Sequence, residues 1–87
     1  MDEERLWLVD RTYTDKGLVS LVYATTDGER VLQRQRSMNM LQQGVEVTAA
    51  TTADPDDLDP VEDEETRQRY AEEASRMADQ HDPDDAV

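Results

Sequence analysis

Eighty-seven residues carry 22 Asp and Glu against nine Lys and Arg, a net charge of −13, and only 36% of them are hydrophobic. Those figures exclude a multidomain enzyme, a bilayer span of the ~18 to 20 apolar residues required, and nucleic-acid binding held by bulk charge. Cysteine is absent, which removes disulfides and thiolate metal sites together.

Arg5 to Tyr13 and Leu18 to Thr26 are rich in Val, Leu, Tyr and Thr and predict two strands, joined by Thr14-Asp15-Lys16-Gly17. Asp27-Gly28 predicts a two-residue hairpin turn, followed by a third strand over Glu29 to Arg36. Ser37 is placed to cap a short helix, Met38 to Gln43, ended by Gly44. Val45 to Thr52 returns to β character as a fourth strand, and 53–59 reads as a loop. Asp59-Pro60-Val61-Glu62 then supplies a cap, a first-position proline and an acid, predicting a helix from Pro60 to about Gln80. Asp63–Arg67, Glu65–Arg69 and Glu72–Arg76 are spaced to support it as i,i+4 pairs. The expected architecture is α+β: an antiparallel three- or four-stranded meander sheet, a short helix, and one long acidic C-terminal helix packed on one face. Residues 1–81 form the single domain and 82–87 an acidic disordered tail.

The hairpins also predict faces. A two-residue turn at Asp27-Gly28 pairs Tyr23 with Leu32, Leu21 with Arg34 and Val19 with Arg36, while the first hairpin pairs Leu8 with Tyr23, Val9 with Val22 and Tyr13 with Leu18. One face then carries Leu6, Leu8, Val19, Leu21, Tyr23 and Leu32, and the other Trp7, Val9, Tyr13, Leu18, Val22, Ala24 and Val31. One helix covers one face. The second is expected to be closed by a homodimer or another protein, unless Met38, Met40, Leu41 and Leu58 fold back over it.

Charge is unevenly distributed. Residues 1–44 hold seven acids and six bases, whereas 45–87 hold fifteen acids and three bases. There is no Ile or Phe and a single Lys, Lys16, while Val, Leu, Ala, Thr and Asp are plentiful. In these residues the chain resembles the small acidic cytoplasmic proteins of halophilic archaea, a likeness of composition that spans the chain and implies no activity. It implies a cytoplasm of concentrated KCl, where a Debye length of ~3 Å at about 1 M salt screens the self-repulsion of the acids. The acidic start Met1-Asp2-Glu3-Glu4 lacks the apolar stretch of a signal peptide, which agrees with an intracellular, soluble protein.

Three constellations bear on chemistry. Lys16-Gly17-Leu18-Val19-Ser20-Leu21-Val22-Tyr23 has the basic-Gly start and aromatic end of an RNA-recognition-motif strand. Leu18 and Ser20 replace its base-stacking aromatics, however, so a turn and a core strand explain it better. Arg30, Arg34 and Arg36 stand on alternate residues of the third strand, with Gln33 and Gln35 between and Arg5 and Arg11 nearby. Such a strand holds phosphates, pairs with the acidic helix, or protects a sheet edge. The Asp clusters 54–59 and 82–85 lack the Gly of a calcium loop and predict diffuse K⁺ and Mg²⁺ association, with no defined metal site and no cofactor. His81, Ser20, Ser37 and Ser75 form no recognisable catalytic set, and Gly17, Gly28 and Gly44 are scattered turn residues.

The expected function is therefore non-catalytic: a small interaction or adaptor protein acting through an apolar face of Trp7, Val9, Tyr13 and Val22. The alternative is a nucleic-acid-associated protein that uses Arg30, Arg34 and Arg36.

Overall fold

The computed structural model describes residues 3–39 and 47–87. β1 (Glu4–Tyr13), β2 (Leu18–Ala24) and β3 (Arg30–Ser37) form the expected antiparallel meander. Val19 pairs with Arg36, Leu21 with Arg34 and Tyr23 with Leu32, as the hairpin rules require. The turn itself is of another type. Gly28 N–H donates to Thr25 O (2.8 Å) and Thr25 N–H to Arg30 O (3.1 Å), which closes a four-residue loop. A two-residue I′ turn needs positive φ at Asp27 as well, and only Gly28 (71°) has it. The Asp27 carboxylate instead accepts hydrogen bonds from the Thr25 hydroxyl and the Glu29 N–H. A loop two residues longer removes one from each strand end, so the pairing beyond is unchanged.

The first hairpin departs from expectation in a way that matters more. Trp7 pairs with Ala24 and Leu8 with Tyr23, but then Asp10 pairs with Val22, Arg11 with Leu21 and Tyr13 with Val19. Val9 is thus the extra residue of a β-bulge, and the expected pairs Val9–Val22 and Tyr13–Leu18 are displaced. One extra residue reverses the alternation of side chains beyond it. Arg11 and Tyr13 therefore share the face of Leu6 and Leu8, while Asp10 and Thr12 share that of Trp7.

β4 (Ala50–Ala53) lies antiparallel on the other side of β1, and the sheet order is β4-β1-β2-β3-β5. The fourth strand expected over 45–52 is shorter and later than predicted; Val45 and Glu46, Gly44 and most of the short helix lie outside the described residues. Ala49 N–H donates to Asp85 O (2.8 Å), Ala50 N–H to Pro83 O (3.1 Å) and Val87 N–H to Val47 O (2.9 Å). Asp82–Val87 was expected as a disordered tail. It lies instead along this edge, because the unpaired backbone groups of an edge are satisfied by an adjoining extended segment. Val87 packs against both cores.

Asp59 and Pro60 do not open the helix. They form β5 (Asp59–Pro60), paired with Val31 and Arg30, a site that tolerates proline because it lies at the sheet edge. A 3-10 turn at Pro55–Asp57, capped by Asp54, leads into it. The helix α1 runs Glu64–Gln80, and its cap is Asp63, whose carboxylate accepts from the Thr66 N–H (2.9 Å) and hydroxyl (2.7 Å). Its end is where the sequence places it, with His81 N–H donating to Met77 O (2.9 Å). None of the three predicted acid–base pairs is among the ion pairs of the described residues. Arg76 pairs with Glu73, one residue closer than predicted, and the Arg69 guanidinium stands 5.3 Å from the centroid of the Tyr70 ring.

Two cores result. Leu6, Leu8, Val19, Leu21, Tyr23 and Leu32 are buried on one face with Val47 and Ala53, and Met38, Leu58, Met77 and Val87 pack against them. Trp7, Ala49 and Ala50 are buried on the other face with Ala74 of α1, flanked by Val9, Met77 and Ala78. Leu6 and Val19 are 0% exposed within a single chain, and each fully buried aliphatic side chain is worth roughly 1.5 to 3 kcal/mol. The face of Leu6 and Val19 is thus closed within the chain, while Leu18, Val22 and Val31 on the Trp7 face stay half-buried and outside both cores. Among the described residues Tyr13 (60% exposed) is the large hydrophobic left in solvent.

Two carboxylates tie this fold to pH. The Thr66 hydroxyl, then the Thr66 N–H, hold Asp63 below the ordinary 3.8; the Thr25 hydroxyl, then the Glu29 N–H, do the same for Asp27. A depressed folded-state pKa adds stability that is present above the unfolded pKa and lost as pH falls through the folded one. Helical circular dichroism is expected to decline below about pH 4, with a shallower acid limb in an Asp27→Asn/Asp63→Asn variant. An identical limb would place the acid response in other carboxylates.

Candidate functional site

The four apolar residues expected to meet a partner are not one surface. Trp7 is 7% exposed and lies beneath α1. Val22 and Val9 are half-buried, Val9 as the bulge residue. The bulge carries Tyr13 to the face opposite Trp7 and Val22. Trp7 and Val9 therefore belong to the packing beneath α1, Val22 stays half-buried outside both cores, and Tyr13 is presented to solvent.

The arginines assemble better. Arg30, Leu32, Arg34 and Arg36 alternate onto the same face as Leu6 and Leu8. Arg30 is committed to an ion pair with Glu4, two strands away. Arg34, Leu21 and Arg11 form one row across β3, β2 and β1, and Arg36, Val19 and Tyr13 form the next. Arg11 also donates to the Val87 carbonyl oxygen (3.0 Å), and Arg36 to that of Gln35 (3.1 Å). Without the bulge Arg5 and Arg11, six residues apart, would share a face. With it, Arg11 joins Arg34 and Arg36, and Arg5 faces away.

Tyr23 records this gathering of charge. Burial pushes its hydroxyl above the ordinary 10.0, while the positive charges of Arg36, Arg11 and Arg34 act on it in the opposite sense. Three guanidinium groups thus act electrostatically on one buried phenol. The sequence puts Arg34 and Arg36 on one strand, Tyr23 in the core and Arg5 and Arg11 nearby; the bulge alone separates Arg11 from Arg5 and sets it in the row of Arg34.

The other candidates have structural duties. Gln33 Nε2 donates to the Ser20 hydroxyl (3.2 Å), and the Asp85 carboxylate accepts from the Asp82 N–H (2.9 Å) and stands 3.7 Å from His81 Nδ1. Among the described residues no three His, Asp or Glu side chains converge as metal ligands, and no helix is long and apolar enough to cross a membrane. A groove of about 350 Å³ between the β2–β3 turn and α1 is lined by Asp27, Glu29, Glu64, Arg67, Gln68 and Ala71, and it opens widely to solvent.

Fold and surface together define a small α+β protein whose described residues form a five-stranded antiparallel sheet and a long helix, with a cationic patch on an acidic chain. The chain belongs to a family of unknown function, DUF7967, whose sequence model matches residues 1–87. No curated protein and no solved structure matches it.

Proposed function

We propose that the chain is a non-catalytic interaction protein that meets a protein partner through the basic side of its sheet, Arg11, Arg34 and Arg36. The observation that carries this reading is the convergence of those three guanidinium groups on one face of a chain of net charge −13. Exposed acids of α1, among them Glu64, Glu65 and Glu72, keep the chain in solution and repel acidic partners from that side. The composition supports work in concentrated salt. There a short Debye length leaves only contacts of close geometry effective.

A second reading is a nucleic-acid contact. Exposed Tyr13 shares a row with Arg36, so a base stacked on the ring would bring its phosphate near guanidinium groups. Arg30, held by Glu4, contributes little to such a contact.

Charge reversal in an Arg34→Glu/Arg36→Glu variant separates these readings. Capture from lysate in high KCl is expected to retain a stoichiometric, nuclease-resistant protein on the wild-type chain and to lose it on the variant, with circular dichroism unchanged. Nuclease-sensitive nucleic acid on the wild type alone would transfer the function to the second reading. Identical capture by both chains would remove the arginine face from either.

A further inference from the structure

Among the described residues, one stretch of sheet edge beside these arginines carries no neighbouring strand. β5 pairs only with Arg30 and Val31 of β3, and among the described residues no strand lies along the outer side of Leu32–Arg36, where the Arg36 guanidinium donates to the Gln35 carbonyl oxygen (3.1 Å). Antiparallel ladders alternate the direction of backbone groups along a strand. Thr25 N–H bonds to Arg30 O, which turns residues 30, 32, 34 and 36 toward β2. Val61 N–H bonds to Glu29 O, which turns 29, 31, 33 and 35 outward. Gln33 and Gln35, both exposed, therefore turn their N–H and C=O groups outward at strand spacing, and an added strand would take over the place of the Arg36 guanidinium on the Gln35 carbonyl oxygen. From the same stretch Arg34 and Arg36 carry positive charge on the face opposite α1.

We propose that the Gln33–Gln35 edge of β3 binds an extended acidic peptide segment as an added strand, with carboxylates on alternate residues facing Arg34 and Arg36. This rests on the reading of the basic side as the contact surface and names the chemistry of its partner. Alternating donors and acceptors match a peptide backbone and give affinity, while side chains at every second residue give selectivity. A nucleic-acid strand has no such alternation to offer. A second copy is disfavoured by its own charges. Twofold registers that set Gln35 against Gln33, Gln35 or Ser37 of the other copy place Arg34 against Arg34, Arg34 against Arg36, or Arg36 against Arg36, and like charges directly opposite destabilise a strand pair. The arginines thus block self-pairing at this edge and select an acidic strand in its place.

The test uses the whole chain and a capped peptide, acetyl-Thr-Glu-Val-Glu-Thr-amide, with fluorescence anisotropy for affinity and amide exchange for location. Binding is expected to protect the Gln33 and Gln35 amides. It should weaken by about tenfold or more when Lys replaces both Glu in the peptide, and likewise in the Arg34→Glu/Arg36→Glu protein. N-methylation of the peptide's central amides leaves the protein untouched and should abolish binding. Gln35→Pro, which removes an outward N–H and spares the β2 ladder, should do the same. Binding that ignores N-methylation would overturn strand addition and leave the basic contact surface standing. Binding of a uridine oligonucleotide of about 12 residues, with none of the peptide, would overturn it in favour of nucleic acid. No binding of either probe would remove both this inference and the reading beneath it.

Discussion

Gly28→Ala is expected to bring the protein close to unfolding. Gly28 holds φ at 71°, and a Cβ there would stand 2.8 Å from Ala71 N and 3.0 Å from Arg67 C, with the Arg67 carbonyl oxygen nearer still. All three are backbone atoms of α1, so relief requires the helix to move off the sheet. The left-handed conformation alone costs a residue with a side chain roughly 1 to 2 kcal/mol, and overpacking adds about 1 to 3. The total is comparable with the lower end of stability for a domain of this size, about 4 kcal/mol. Gly17→Ala is the control, because Gly17 has a similar φ of 76° but nothing within 4 Å of the added carbon. Urea titrations in high KCl should show a small loss for Gly17→Ala and a severe one for Gly28→Ala. Equal losses would mean that α1 does not rest on the turn.

Trp7→Ala separates packing from recognition. The indole lies between the sheet and α1 against Ala49, Ala50 and Ala74, so its removal leaves a cavity that rigid neighbours cannot close. Truncating a buried aromatic typically costs 3 to 5 kcal/mol, here on the order of half the total stability or more. The expected result is a large fall in the unfolding midpoint. Tyr13→Ala, at a site 60% exposed, should change stability by no more than about 0.5 kcal/mol. A folded Trp7→Ala chain with wild-type stability would contradict the core assignment and return Trp7 to a partner surface.

How far the sequence could be read varied from element to element. The β2–β3 register was legible because the two-residue turn that Asp27-Gly28 predicts and the four-residue loop that forms share one cross-strand pairing. The helix end at Gln80 was legible too, but two aspartates competed to begin it. Asp59 has the proline that suits a helix start, whereas Asp63 has Thr66 within reach of its carboxylate. The choice fell to Asp63 because Asp59 and Pro60 pair with β3, a contact formed with residues nearly 30 positions earlier. No glycine or proline marks the bulge at Val9. It lies just beyond Glu4–Trp7, the part of β1 that pairs with β4 as well as β2, and it shows only in the pairing with β2.

By itself the sequence determined the strands of the meander, the long C-terminal helix, the apolar row from Leu6 to Leu32 and the acidic character of the second half. All of these follow from local periodicity, turn chemistry and charge, which act over a few residues. Tertiary structure decided the rest: the place of β4 beside β1, the closure of the Leu6 face within one chain, the docking of Asp82–Val87, and the gathering of Arg11, Arg34 and Arg36. Each depends on which distant strand becomes a neighbour. A one-residue bulge then sends every later side chain of β1 to the opposite face, so the composition of the candidate site was settled by pairing rather than by pattern.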